Sequence, residues 1–321
     1  MQRLKQVIPV FFMLILMSAQ IYADDFKDGN DAYEIGDFKT AYKLFLPLAD
    51  RGLAHAQFQL GVMFENGQGV AQDYLQASQW YRLSADQGDA SAQYNLGGLY
   101  RQGVGVAKNH LEAMKWYKLS AEQGHVIAQY NLGMMYEIFI HDYEKALKWY
   151  RKGADQGHAE VQNNLGFIYQ QGIAGVVRDY KKAAEWYLRA AKKGHATGQH
   201  NLGGMYYNGQ GVAQDFDEAV KWYQLAADQD NPDAQFALGL MYLKGHEVLQ
   251  DHEEGIEWIE RASEQDHPAA LYHLGLAYDL GDGVEPDDEY SRWNYEIAAE
   301  RGHSGARFGM TGDGSQNYRG N

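Results

Sequence analysis

Apolar positions along this chain fall on a helical beat that glycine interrupts at regular intervals. In one kind of segment Ala92, Leu96, Leu99 and Tyr100 stand at helical spacing and make a single apolar face. In a second kind Ala77, Trp80, Tyr81, Ser84 and Ala85 follow the i, i+3, i+4, i+7, i+8 order of another helix, and Trp116, Trp149, Trp186, Trp222 and Trp258 occupy the same frame. Small residues at Ala77, Ala113, Ala146, Ala183 and Ala219 are expected to let neighbouring helices approach closely. The stretch AQYNLGGLY at 92–100 returns as AQYNLGMMY at 128–136. Leu-Gly pairs begin at Leu60, Leu96, Leu132, Leu165, Leu202, Leu238 and Leu274, with spacings of 36, 36, 33, 37, 36 and 36. A fixed period in this range predicts a repeat architecture.

The breaks between apolar segments carry their own chemistry. Gly-x-Gly-Val occurs at 67–70, 103–106, 209–212 and 281–284, and three residues after each Val comes Asp73, Asn109, Asp215 or Asp287, a helix N-cap whose side chain accepts an otherwise unpaired backbone N–H. Gly88, Gly124, Gly157, Gly194 and Gly302 are expected as left-handed residues closing the second helix. Asp230 and Asp266 replace that glycine, and Asp tolerates the left-handed region better than most residues. His125, His158, His195, His267 and His303 share the next position with Asp89 and Asn231, an interchange that reads as turn chemistry rather than metal ligation. Two-helix units cannot bury an aromatic face alone, so the pattern predicts an all-α solenoid with a concave surface.

The predicted organisation is a signal peptide at 1–23, a degenerate capping helix pair at 24–52, and seven repeats over 53–302. The repeats are bracketed as 53–88, 89–124, 125–157, 158–194, 195–230, 231–266 and 267–302, followed by a partial helix and frayed tail at 303–321. In the leading pair, Phe45-Leu46 is aligned with the later Trp-Tyr. In the third repeat, Glu137-Ile138-Phe139-Ile140-His141 replaces the glycine loop and is either a binding bump or, the reading preferred, a tighter turn packed inward. The first 23 residues pair Arg3 and Lys5 with an apolar run from Val7 to Met17 and a small residue at Ala23, which is the layout of an export signal. Eleven residues fall short of the roughly 20 that span a bilayer. The mature protein is therefore expected in the periplasm or outside the cell.

The elements A-x-x-x-L-G-x-x-Y, G-x-G-V-x-x-D and A-x-x-W-Y-x-x-A-A, recurring over 53–302, resemble Sel-one-like repeat (SLR) proteins of the tetratricopeptide superfamily. The resemblance implies an α/α solenoid, a right-handed superhelix of two-helix repeats whose first helices line the concave face. It also implies an adaptor; exported bacterial members resemble regulators, assembly factors and host-contact proteins. The paired disulfides of the family's cysteine-rich branch are missing, because the chain has no cysteine.

Chemistry is sparse. Without cysteine there is no disulfide, thiolate site or cysteine nucleophile. No His-Glu-x-x-His, P-loop Lys-Ser/Thr or Gly-x-Ser-x-Gly motif occurs, so neither an enzyme, a metal nor a cofactor is expected. Formal charge is −15, and loss of residues 1–23, with two bases and no acid, takes it to −17. That charge disfavours nucleic acid and anionic lipid and favours a neutral or basic protein partner.

Two columns are candidate partner-binding residues. Asn95, Asn131, Asn164 and Asn201 precede Leu-Gly, with Gln59 before them, and an amide can both donate to and accept from an extended peptide. The alternative is that each Asn bonds the neighbouring repeat. The preceding column is Phe58, Tyr94, Tyr130, Asn163, His200, Phe236 and Tyr272, which changes from unit to unit and serves either as packing or as anchors. The function expected is a non-enzymatic scaffold binding an extended segment or loop of an envelope or host protein in a groove around Tyr94 to Asn201. The alternatives are a peptidoglycan or carbohydrate binder on the aromatic column and, less favoured, an envelope hydrolase.

Overall fold

A computed structural model describes residues 24–245 and 250–306. Residues 1–23, on which the expectation of an export signal falls, lie outside this description, as does the tail beyond residue 306. Among the described residues the secondary structure is helical throughout, with no strand. A leading pair, α1 (24–34) and α2 (Phe38–Asp50), precedes seven repeats, each a first and a second helix. They are α3 (Ala54–Asn66) and α4 (Tyr74–Asp86), α5 (Ala90–Gln102) and α6 (His110–Glu122), α7 (Val126–Met135) and α8 (Tyr143–Asp155), and α9 (Ala159–Gln171) and α10 (Tyr180–Ala191). Then follow α11 (Ala196–Asn208) and α12 (Phe216–Ala227), α13 (Pro232–Lys244) and α14 (His252–Ser263), and α15 (Pro268–Leu280) and α16 (Asp288–Glu300). The chain divides into two compact units, Met1–Gly153 and Ala154–Asn321. In each, successive helices pack on one another as an all-α solenoid of helix pairs.

The glycine of each Leu-Gly pair is a hole, and the tyrosine of the Trp-Tyr pair is the peg that fills it. A Cβ on Gly61 would lie 2.4 Å from the Tyr81 ring, one on Gly97 2.9 Å from Tyr117, and one on Gly166 2.7 Å from Tyr187. Tyr81, Tyr117 and Tyr187 are accordingly buried to within 1%. Repeat six uses Ile259 as its peg and has Gly255 where repeats one to five have Ala, which brings the two helices closer: a Cβ on Gly239 would meet the Gly255 carbonyl at 2.7 Å. The same rule corrects the leading pair. Phe45, fully buried, lies 2.6 Å from a Cβ built on Gly29, so Phe45 takes the tyrosine place, and the expected Phe45-Leu46 alignment is one residue out.

Caps form where the sequence predicts them. Asp73 accepts from the Gln76 N–H and Asp215 from that of Glu218, both at 3.0 Å. Ahead of the first helices, Asp89 and Asn231 accept from Ala92 and Ala234 N–H groups at 2.8 and 2.9 Å. Three of the histidines at that position do the same work, with Nδ1 of His125, His195 and His267 accepting from Ala128, Gly198 and Ala270 at 3.2, 3.0 and 3.0 Å, whereas His158 makes no such bond. Asp230 and Asp266 sit at φ of 59° and 60°, in the left-handed region their repeats require.

Two devices join one repeat to the next. The second glycine of the loop abuts the start of the preceding second helix, since a Cβ on Gly105 would be 2.1 Å from the Tyr74 carbonyl oxygen. Beneath it runs a buried chain of glutamines. Gln93 Nε2 donates to the Ala85 carbonyl of the previous repeat and its Oε1 accepts from Gln123, at 3.1 and 2.8 Å. Gln57, Gln199 and Gln235 repeat this pair of bonds. In repeat four Lys193 stands where Gln123 stands in repeat two, and the Gln162 Oε1 has no partner. First helices of successive repeats also touch directly, α3 with α5 and α9 with α11, whereas second helices do not to that degree. First helices are therefore the inner row of each unit.

Repeat three departs from the expectation of an inward-packed turn. Phe139 stands seven residues after its Leu, where Gly67 and Gly103 take up left-handed φ values of 69° and 79°. A phenylalanine adopts that conformation at a high cost, so the chain continues through a π-helical turn, Tyr136–Ile140, and closes on His141 at φ 57°. The turn faces outward: Ile138, Phe139 and Ile140 are 57%, 43% and 46% exposed. Phe139 stacks on the His110 ring at 4.1 Å, and Glu137 is held from behind by the Tyr150 hydroxyl at 2.6 Å.

Candidate functional site

The candidate residues all lie on first helices, and each is half engaged by the scaffold. In the first unit, Phe58, Tyr94 and Tyr130 are half-buried, resting on Tyr81, Tyr117 and Tyr150 with ring centres 5.9, 5.8 and 5.5 Å apart. In the second unit His200 and Tyr272 rest on Tyr223 and Tyr295 at 5.6 Å each, and Phe236 packs on His267 at 5.1 Å. Tyr94 and Tyr272 are also stacked against His125 and His303, the residues that open the following repeat. One face of each ring thus belongs to packing. What remains outward is an edge rather than a free platform.

The asparagines also face the scaffold. Asn95 and Asn131 approach the hydroxyls of Tyr81 and Tyr117, pegs of the repeats before them. Asn201 donates to the Asn163 side chain of the previous repeat at 2.9 Å, while Asn163 lies 3.5 Å from its neighbour Asn164. Asn131 and Asn163 are buried, and Asn95, Asn164 and Asn201 half-buried. The tyrosine hydroxyls find a second partner five residues after the Leu: Tyr81 donates to Glu65 at 2.5 Å, and Tyr187 to Gln170 at 2.7 Å.

A variable position that sequence reasoning missed lies two residues after the Leu. It is Val62, Gly98, Met134, Phe167, Gly204, Leu240 and Leu276, and Phe167 is 46% exposed. Its signal was change of residue type from repeat to repeat, the same signal that singled out the aromatic column.

Electrostatics on this face are set by burial. Desolvation lowers the pKa of His200 against the opposing influence of Asp233, and brings His273 down to about 4, helped by the charges of His303 and Lys244. Among the described residues no group of three His, Asp or Glu side chains is arranged to hold a metal ion, and no helix is long and apolar enough to cross a membrane.

Known proteins place this architecture. The Sel1 repeat family matches the chain seven times, at 54–89, 90–125, 126–158, 159–195, 196–231, 232–267 and 268–303. The chain belongs to the Sel1 repeat family, whose members are solenoid scaffolds that typically mediate protein–protein interaction. It is similar to c5321 of uropathogenic Escherichia coli, described as a protective antigen displaying an SLR fold, with 33% identity over 95% of this chain and 67% of that one and a TM-score of 0.80. It is likewise similar to a Sel1 repeat protein from Oxalobacter formigenes, with 29% identity over 94% of this chain and 91% of that one and a TM-score of 0.74. No curated protein matches the chain.

Proposed function

We propose that this chain is an exported, non-enzymatic scaffold that holds an extended segment or loop of an envelope or host protein along its first-helix face. The observation that carries the reading is a contrast within each first helix. Leu, Gly and the tyrosine peg hardly change from repeat to repeat, while the positions two and five after the Leu change freely and keep part of their surface in solvent, Phe167 and Asp279 most of all. Selection for stacking alone has no use for such variation, whereas recognition of one sequence along a row of repeats does. Export rests on the layout of residues 1–23, and the similar c5321 is a protective antigen present in uropathogenic Escherichia coli strains. The excess of acids, 43 Asp and Glu against 28 Lys and Arg, favours a partner with a neutral or basic surface.

Cross-linked capture from envelope and culture fractions tests this, using residues 24–321 beside Phe167→Ser and Tyr94→Leu/Tyr130→Leu. The expected result is a protein retained by the parent and weakened by one or both folded variants. Capture indifferent to all of these changes would move the interface off the first-helix face. Mass analysis of the exported protein is expected to find Asp24 as its first residue; an intact Met1 would refute cleavage.

A further inference from the structure

The tyrosine pegs of this solenoid have a settled habit. Tyr81 and Tyr150 donate to the carboxylates of Glu65 and Glu137 at 2.5 and 2.6 Å, and Tyr81 and Tyr117 are also met by the amides of Asn95 and Asn131 from the following repeat. Repeat five keeps the peg, Tyr223 against Gly203, but both partners are gone. Tyr207 stands where Glu65 and Glu137 stand, and Ala237 where the next repeat would supply Asn. Gly204 adds no side chain either, and a Cβ there would lie 3.5 Å from the Tyr223 hydroxyl. The space left is a cavity of about 170 Å³ lined by Tyr207, Tyr223, Ala237, Leu240, Met241 and Lys244.

Tyr223 is 6% exposed, and among the described residues its hydroxyl has no hydrogen-bond partner. The hydroxyl lines the cavity and is not shut off from water, so an acceptor entering there takes the place of water at an O–H that no side chain claims. Burial pushes its pKa up, so it remains an O–H donor at neutral pH. Lys244, exposed at the rim, forms no ion pair among the described residues, in a chain whose formal charge is −15.

We propose that this cavity receives a glutamate side chain of a protein partner. The carboxylate accepts from the Tyr223 hydroxyl, as Glu65 and Glu137 do from their own pegs, and pairs with the Lys244 ammonium. Its methylenes lie against Leu240 and Met241. A glutamine would fill the same space but leave Lys244 unpaired, and a charge-assisted bond is the stronger of the two. The inference rests on the scaffold reading, of which it names one contact.

The probes are a tripeptide with both ends blocked, acetyl-Ala-Glu-Ala-amide, and its Gln counterpart, each titrated at millimolar concentration while the Met241 methyl resonance is followed. The Glu peptide is expected to shift it saturably and to bind at least about tenfold more tightly than the Gln peptide. Ala237→Asn and Tyr207→Glu each restore an internal partner for Tyr223 and should abolish the shift, Ala237→Asn without lowering the melting temperature and Tyr207→Glu with the loss of the ring's packing on Phe216. Should Tyr207→Glu fail to fold, Ala237→Asn carries the test. Equal binding of both peptides, no shift with Glu, or full binding by folded Ala237→Asn would each overturn the proposal. A parent that binds the Glu peptide yet captures no protein refutes the scaffold and leaves the pocket standing; the reverse result refutes the pocket alone.

Discussion

Residues 92–100 and 128–136 are nearly the same nine letters, and over those letters repeats two and three are nearly the same object. Gly97 and Gly133 receive Tyr117 and Tyr150, Gln93 and Gln129 donate to the Ala85 and Ala121 carbonyls, and Tyr94 and Tyr130 rest on the pegs. Three residues later they part. Gly103 turns left-handed and hands the chain to a loop seated on the previous repeat, while Phe139 drives it through a π-turn that presents three apolar side chains to water. Side chains engaged in stacking thus set the helix, and the backbone tolerance of one residue sets its exit. The two decisions are independent enough for a repeat to change its exit without disturbing its interior.

The strongest challenge to that equivalence is removal of the pegs. Tyr117→Ala and Tyr150→Ala should each cost about 3–5 kcal/mol in urea denaturation, and a much smaller loss in either would show that its hole is not held by the ring. Filling the holes comes next: Gly97→Ala and Gly133→Ala should cost about 1–3 kcal/mol, with Gly133→Ala the worse because its Cβ would approach Tyr150 to 2.6 Å rather than 2.9 Å.

Acid should then separate the two repeats. Asp89 caps repeat two, whereas repeat three is capped by His125 Nδ1, which must be unprotonated to accept. Burial, the dominant influence, lowers the His125 pKa from 6.5, so below that value the unfolded chain binds the proton first. The contribution is complete above pH 6.5 and is lost as pH falls through it towards the lower folded value. His125→Asn should flatten this slope by about 1 kcal/mol, a typical cap's worth. An unchanged pH profile would show that the imidazole does not cap. Smallest of all, Phe139→Ser should shift stability by no more than about 0.5 kcal/mol, because the ring is 43% exposed and its main neighbour is His110. A large loss would return the π-turn to the core.

Periodicity and caps were legible in the sequence because they are local. The interchange of His, Asp and Asn reads directly as N-capping, and Asp230 and Asp266 in place of glycine read as left-handed turns. What needed three dimensions was which groups meet across a joint. The glycine before each peg suggested close approach but did not identify the tyrosine as its occupant, so Phe45 was misaligned by one residue. The stretch from Glu137 to His141 was read as inward because apolar side chains usually face the core, yet their direction depends on how the helix widens where a glycine is absent. The asparagine column offered two readings; Asn201 is bonded to the neighbouring repeat, and Asn95 and Asn131 approach the pegs of theirs. The cavity beside Tyr223 was invisible for another reason: it is made by residues missing from two repeats at once, and no motif reports an absence.

The glutamine chain has a consequence beyond stability. Repeats one to six each carry both halves of the connector, an amide that reaches back and a carbonyl oxygen that can receive a following glutamine. Repeat seven has Leu271 in place of the glutamine, so the junctions up to repeat six are built from the same parts. An in-frame duplication or loss of one whole unit would arrive already wired, with no compensating change needed on either side. Length in such a protein is therefore a heritable quantity that can change in single steps of one repeat, and the reach of its recognition surface can evolve faster than the surface itself.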